Sequence, residues 1–328
     1  ISGITASNKE YNGNTSAAVD ASGAVYTGLV AGDDVSVSAT GTFSDKNVGT
    51  GKTVTLSSTY SGADKDNYLF TDQDSTTANI TAKDLSIIAN DQSHTYGSIT
   101  DLGISQFTEV GLILGETVGS VVLKIGDYTE VSSTTNAGNY TITPSAASGG
   151  TFDQENYNIT YVPGNFVVSR KEITLSAEKT YDGILDLTGH VTIGGLVGAQ
   201  TLNYSGAISN DKNVSTAGKF ISSITLLNGD NGGLVTNYVL PTLDAANAPV
   251  TINKAILTVK AADEDVIYTQ SEPTYSAIYQ GFKNGEDVDD LGGAASFTTS
   301  ASFVEGSLSN AGTYTINYDG NLTSSNYT

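Results

Sequence analysis

Lys179-Thr180-Tyr181-Asp182-Gly183 returns near the start of the chain as Lys9-Glu10-Tyr11-Asn12-Gly13. The two tyrosines stand 170 residues apart. Three other pairs keep that spacing: Asn67-Tyr68 with Asn237-Tyr238, Gly115-Glu116 with Gly285-Glu286, and Asn156-Tyr157 with Asn326-Tyr327. A fixed period of this kind marks a duplicated unit. Asn-Tyr closes each half-unit as well, so the array reads as four modules of two alternating kinds. Their boundaries fall at residues 1–82, 83–170, 171–253 and 254–328. The last module stops just after Asn326-Tyr327, whereas the second continues past the matching point into Pro163-Gly164 and a further strand. The fourth module is therefore expected to lack its last strand and to show an exposed edge.

Within the modules the pattern is that of short strands. Val35 and Val37, then Val54 and Leu56, alternate with polar residues. Leu85, Ile87 and Ala89 do the same, as do Val121, Leu123 and Ile125, and then Phe166 and Val168. Ile173, Leu175 and Ala177 open the third module, and Leu257, Val259 and Ala261 the fourth. Period two is the mark of half-buried strands. The first module opens weakly, with Gly3 and Thr5 where the third has Ile173 and Leu175. Asp45 to Gly51 is a turn, with Gly49 and Gly51 placed to take positive φ. Glycine, asparagine, aspartate and proline break the chain too often for helices, and a single helical turn is allowed only near 111–115 and 281–285. The fold class is all-β (mostly β): an elongated head-to-tail tandem of four small modules, each β-grasp-like or an Ig-like sandwich.

Composition excludes several functions. Thirty-five acidic residues against 14 basic ones give a net charge of −21. Such a surface repels nucleic acid and anionic membrane. There is no cysteine, which removes disulfides, thiol catalysis and thiolate metal sites. No apolar run reaches the length of a spanning helix, so no membrane insertion is expected. The two histidines, His94 and His190, have no nucleophile signature beside them. No phosphate-binding or dinucleotide glycine pattern occurs. The chain is read as no enzyme.

The repeated tyrosines are read as structural. Tyr11 and Gly13, and Tyr181, Asp182 and Gly183, would cover the end of a module, with the hydroxyl on a backbone partner and the Asx-Gly pair making the turn. Gly138 and Tyr140, matched by Gly312 and Tyr314, are similar to the tyrosine-corner device of β-sandwiches. Acidic clusters are the remaining chemical signal. A candidate calcium site is placed at Asp263, Glu264 and Asp265 or at Glu286 and Asp287, because calcium takes six to eight hard oxygens. The spacing matches neither an EF-hand nor an RTX repeat. A lysine–asparagine isopeptide crosslink would need a buried lysine, asparagine and acid together.

Lys-x-Tyr-(Asp/Asn)-Gly followed by Asp45-Lys46-Asn47-Val48-Gly49-Thr50-Gly51-Lys52-Thr53-Val54 resembles the YDG domain of large bacterial adhesins. Tyr96-Gly97, Gly-(Leu/Phe)-x-x-Gly-Glu and Asn-Ala-Gly-x-Tyr-x-Ile resemble the glycine-rich MBG repeat of filamentous-haemagglutinin-like surface adhesins. Asn12 stands for the motif aspartate, Ser215-Thr216-Ala217 for Gly-Thr-Gly, and Tyr268-Thr269 for Tyr-Gly. The resemblance implies a non-enzymatic stalk region of a secreted, cell-surface protein. Such a stalk would project a distal binding domain for attachment or biofilm formation. Neighbouring repeats are its expected partners, and the chain itself is expected to be monomeric. The alternative is an adhesive module that holds an extracellular polysaccharide or host glycan on exposed tyrosines.

Overall fold

The computed structural model describes residues 1–328. It forms two compact units, Ile1–Ser169 and Arg170–Thr328. The fold is almost all β, and the helical content is four single 3-10 turns. All strand pairs lie within residues 1–82, 83–170, 171–253 or 254–328.

In the first unit, module one is a five-stranded sheet. Ser36–Phe43, Gly49–Ser61 and Ser75–Thr81 pair antiparallel in that order, and Ser16–Ala17 takes one edge. Lys9–Glu10 lies parallel to Ser75–Thr81 at the other edge. The alternating residues face inward as expected. Val54 and Leu56 are buried with Phe43, Ile80 and Ile4, while Val35 and Val37 are half-buried. The weak opening is also seen: Gly3 takes positive φ, and the module's first strands are two-residue pieces, Thr5–Ala6 and Lys9–Glu10. In the 45–51 turn only Gly51 takes positive φ. Gly49 instead begins a long strand, at a register shift.

Module two is two sheets. Lys83–Ala89 sits between Phe107–Val110 and Tyr157–Val162. Gly138–Gly150 and Gly164–Ser169 form the second sheet with Val118–Lys124 and Gln92–Thr95. The first sheet packs on the second through Lys83–Ala89. Leu85, Ile87 and Ala89 are buried on one side, and Leu123, Ile142, Phe166 and Val168 on the other. Two pairings are parallel, Lys83–Ala89 with Tyr157–Val162 and Gln92–Thr95 with Gly164–Ser169.

In the second unit, module three keeps this scheme. Thr174–Thr180 lies parallel to Val250–Asn253 and antiparallel to Val191–Gly194. Its alternation is complete, with Ile173, Leu175, Ala177 and also Lys179 buried. Leu202–Ser209 and Ile221–Asn228 form a separate hairpin. Module four pairs Thr258–Ala261 with Ala277–Gln280 and Phe297–Thr299 with Ile316–Tyr318. Tyr327 bridges to Ala255 as Tyr157 pairs with Lys83. Leu257, Val259 and Ala261 are only half-buried, and the first two line an open cavity of about 330 Å³.

Parallel pairing of a module's first and last strands is a β-grasp trait, but no helix packs on these sheets. Module two has two layers like a sandwich, with parallel pairs that an antiparallel Ig sandwich lacks. Neither form left open by the sequence describes it in full. The 111–115 and 281–285 segments are plain turns, not helical ones.

Candidate functional site

The first motif residue, the lysine, is a loop cap. Lys179 continues the buried face of its strand, and its ammonium needs partners there. Its Nζ donates to Asp182 Oδ1 at 2.7 Å and to the carbonyl oxygens of Ile184 and Asp186, each at 2.8 Å. Lys9 repeats the geometry with Asn12 Oδ1 at 2.9 Å and the carbonyls of Asn14 and Ser16 at 2.7 and 3.0 Å. Asn12 thus keeps the acceptor of the aspartate it replaces. The other buried lysine, Lys219, is held by the carbonyls of Val214 and Thr216. Neither buried lysine meets the asparagine that an isopeptide bond would need.

The closing Asn-Tyr pairs share one device across all four modules. The phenol of Tyr68, Tyr157, Tyr238 and Tyr327 accepts from the backbone N–H of Val30, Ile113, Val197 and Lys283, at 2.9–3.1 Å. The same phenol donates to a side chain three residues further on: Asp33, Glu116, Gln200 or Glu286. A turn joins the two ends of each segment, since the N–H of the later residue returns to the carbonyl of the earlier. The signal was present in the sequence as Gly-Leu-Val-Ala-Gly-Asp at 28–33 and Gly-Leu-Val-Gly-Ala-Gln at 195–200. These match 111–116 and 281–286, but the residue at the end changes from acid to amide, which hides the likeness.

In modules two and four the acid is shared with the module before it. The Tyr11 ring is 1% exposed, and its hydroxyl donates to Glu116 Oε1 at 2.5 Å while Tyr157 takes Oε2 at 2.6 Å. The two rings meet edge-on, with centroids 5.5 Å apart. In the second unit Tyr181 and Tyr327 both donate to Glu286, with centroids 5.6 Å apart. A second clasp lies beside each. Asn156 Oδ1 accepts from Val48 N at 2.8 Å and its Nδ2 donates to Asn47 Oδ1 at 3.2 Å. Asn326 does the same with Val214 N and Asn213 Oδ1, at 3.0 and 3.2 Å. Lys46 and Lys212 stand 4.0 and 3.9 Å from the two glutamates.

Four motifs read separately in the sequence therefore converge into one joint, built twice. The tyrosine of Lys-x-Tyr-Asx-Gly was expected to bond to backbone, yet it takes a carboxylate 105 residues away, a partner that no local pattern announces. The following glycine is also explained. A Cβ on Gly183 would meet Asn284 Cβ at 2.6 Å, and one on Gly13 would meet Ile113 Cγ2 at 3.2 Å, so the next module sits against both turns. Burial first, then the hydrogen bond to glutamate, raises the tyrosine hydroxyls. Tyr157 and Tyr327 are pushed up to about 12, and Tyr11 and Tyr181 higher still.

The other predicted residues are placed as follows. Tyr140 donates to the Asn136 carbonyl at 2.8 Å, and Tyr314 to that of Asn310 at 2.7 Å, the geometry of a tyrosine corner. Gly138 and Gly312 precede them. Asp263, Glu264 and Asp265 are consecutive on exposed chain. Asp287 accepts from Asp289 N at 2.9 Å as the cap of a 3-10 turn, and Glu286 is taken by its two tyrosines. No three acidic or imidazole side chains converge. His94 packs edge-on against Phe166 with Nδ1 2.8 Å from Thr100 Oγ1, and burial lowers its pKa. His190 is exposed.

The YDG domain model matches residues 1–78, and the MBG domain (YGX type) model matches 85–167 and 257–328. The chain carries a YDG domain followed by an MBG domain, and a second MBG domain closes it. For residues 171–253 the kinship to module one rests on the 170-residue spacing and on the shared lysine cap and joint. No curated protein matches the chain. Among solved structures, Drosophila N-cadherin EC1-4 is similar at 9% identity over 90% of this chain and 86% of that one. Its TM-score of 0.20 carries no argument about the fold. YDG and MBG domains occur in repeat regions of surface proteins and are non-catalytic.

Proposed function

We propose that this YDG–MBG array is a load-bearing spacer in a secreted bacterial surface adhesin. It holds an adhesive domain away from the cell for attachment or biofilm formation and performs no chemistry itself. The observation that carries this reading is the duplicated joint. Each YDG module is fastened to the MBG module after it through a buried Tyr–Glu–Tyr bridge and an asparagine clasp. The repeated residues sit at couplings between modules. The parallel first and last strands support the same reading. When a module is pulled from its two ends, such strands must shear their ladder together rather than unzip it bond by bond.

Single-molecule stretching of the full chain tests the proposal. Each unit is expected to resist as one coupled pair, and Glu116→Ala should split the response of the first unit into two weaker steps. Four independent, low-force steps in the unaltered chain would overturn the spacer reading.

A further inference from the structure

Module one carries an open groove that module three fills with its own tyrosine. The groove, about 470 Å³, runs between the strand Ser36–Phe43 and residues 19–26, lined by Val19, Ala21, Tyr26, Val37 and Ala39. The strand pairing shows what stands there in the other YDG module. Phe43 pairs with Val54 as Ser209 pairs with Ile221. Counting inward-facing positions from that anchor, past the register shift in module three, brings Tyr204 to the place of Ala39. Tyr204 lies across residues 187–191. Its hydroxyl accepts from Gly189 N at 2.8 Å and Val191 N at 3.2 Å and lies 3.3 Å from the Leu187 carbonyl. Val191 pairs with the inward-facing Ala177 as the groove residue Val19 pairs with Ala6, while Gly189 lies in a turn that module one lacks. Module three thus seats a six-membered ring bearing a hydroxyl in the space that module one leaves open.

The surroundings narrow the occupant. Tyr26 offers an aromatic ring at the groove wall, and Ser22 a hydroxyl. Tyr60 stands opposite Val37 in the ladder, its ring stacked 3.7 Å from Phe70 and its hydroxyl fixed by Asp72. Tyr68, tilted 6.2 Å from Phe70, is fixed by Asp33 at 2.6 Å. Module three has Leu240 where Phe70 stands. Asp20 follows the groove residue Val19 in the chain, Asp33 and Asp72 accept from Tyr68 and Tyr60, and on a chain of net charge −21 a polyanion is repelled. An aromatic wall, hydroxyls and no lysine or arginine in the lining suit an uncharged polyol. We propose that the module-one groove is a binding site for one pyranose ring of a neutral glycan, seated where Tyr204 sits in module three. This goes beyond the spacer reading and does not depend on the joint.

The test is saturation-transfer NMR and calorimetry on the full chain, with three probes: a neutral gluco-oligosaccharide series, an anionic uronate oligomer and a tyrosine-containing peptide. The neutral series is expected to saturate a single site. Ala39→Tyr installs the residue that module three already tolerates. It should weaken that binding by about tenfold or more, roughly 1.4 kcal/mol, without lowering the melting temperature, and Tyr26→Ala should weaken it too. The glycan assignment is overturned if no neutral sugar binds, if the peptide or the uronate binds in its place, or if Ala39→Tyr leaves sugar binding unchanged.

Discussion

Glu116 and Glu286 are the residues on which most depends. Each carboxylate has two oxygens and uses one for each module. Glu116→Ala leaves two buried phenols without an acceptor, which costs about 1–3 kcal/mol for each orphaned group. Adding Tyr11→Phe to Glu116→Ala should restore part of that loss, because the unpaired hydroxyl is then gone. Urea titration of the full chain reads both effects, and an unchanged midpoint for Glu116→Ala would mean the bridge carries no energy. Alkali provides a second test. An unfolded tyrosine ionises near 10, whereas burial and the glutamate push Tyr157 and Tyr327 up to about 12. Folding favours the neutral phenol, so this stability is intact below pH 10 and is lost as the pH rises through 12. Tyrosinate absorbance should show a late group of phenols ionising together with loss of circular dichroism. If all tyrosines ionised in one step near 10 with the fold intact, the bridge could not be as described. Repetition in the sequence singled out Tyr11 and Tyr181. It could not tell what they touched, because Tyr11 and Glu116 are joined only by the seating of two modules.

At the scale of elements, the Gly111–Glu116 and Gly281–Glu286 turns decide whether the acid reaches its tyrosines. Gly111 has φ +103°, and a Cβ there would lie 2.3 Å from the Asp84 carbonyl oxygen. Gly281, at φ +119°, would place one 2.4 Å from the Ile256 carbonyl oxygen. Gly111→Ala should therefore destabilise the first unit by about 1–3 kcal/mol, and should abolish any coupling between Tyr11 and Glu116 in a double-mutant cycle. A coupling energy that survived would show that the turn does not aim the acid. Strand positions were the most legible part of the sequence. Leu85, Ile87, Phe166, Ile173 and Leu175 are buried where period two placed them. Pairing was not legible. Parallel neighbours such as Lys83–Ala89 and Tyr157–Val162 lie 74 residues apart, and alternation marks a strand's faces without naming its partner. Lys179 was legible as a motif residue but not as a core one, since its burial depends on carbonyls that only the folded loop turns inward.

At the scale of the whole molecule, the excess of 21 negative charges works against the fold through self-repulsion. The Debye length falls from about 10 Å at 0.1 M salt to about 3 Å at 1 M. Thermal unfolding should accordingly move upward with sodium chloride, since the few ion pairs are mostly exposed and have little to lose. A melting temperature that fell with salt would show that surface pairs such as Lys83–Glu10 outweigh the repulsion. The duplication was readable because it leaves its 170-residue period in the sequence, while the coupling between modules became visible only in three dimensions. The two joints use the same set of residues, a tyrosine and an asparagine from one kind of module and a glutamate and an Asn-Tyr from the other. A YDG module from either unit would thus seat on the MBG module of either unit. Homologous exchange of whole 170-residue blocks would lengthen or shorten such an array while leaving the joint inside each block in working order.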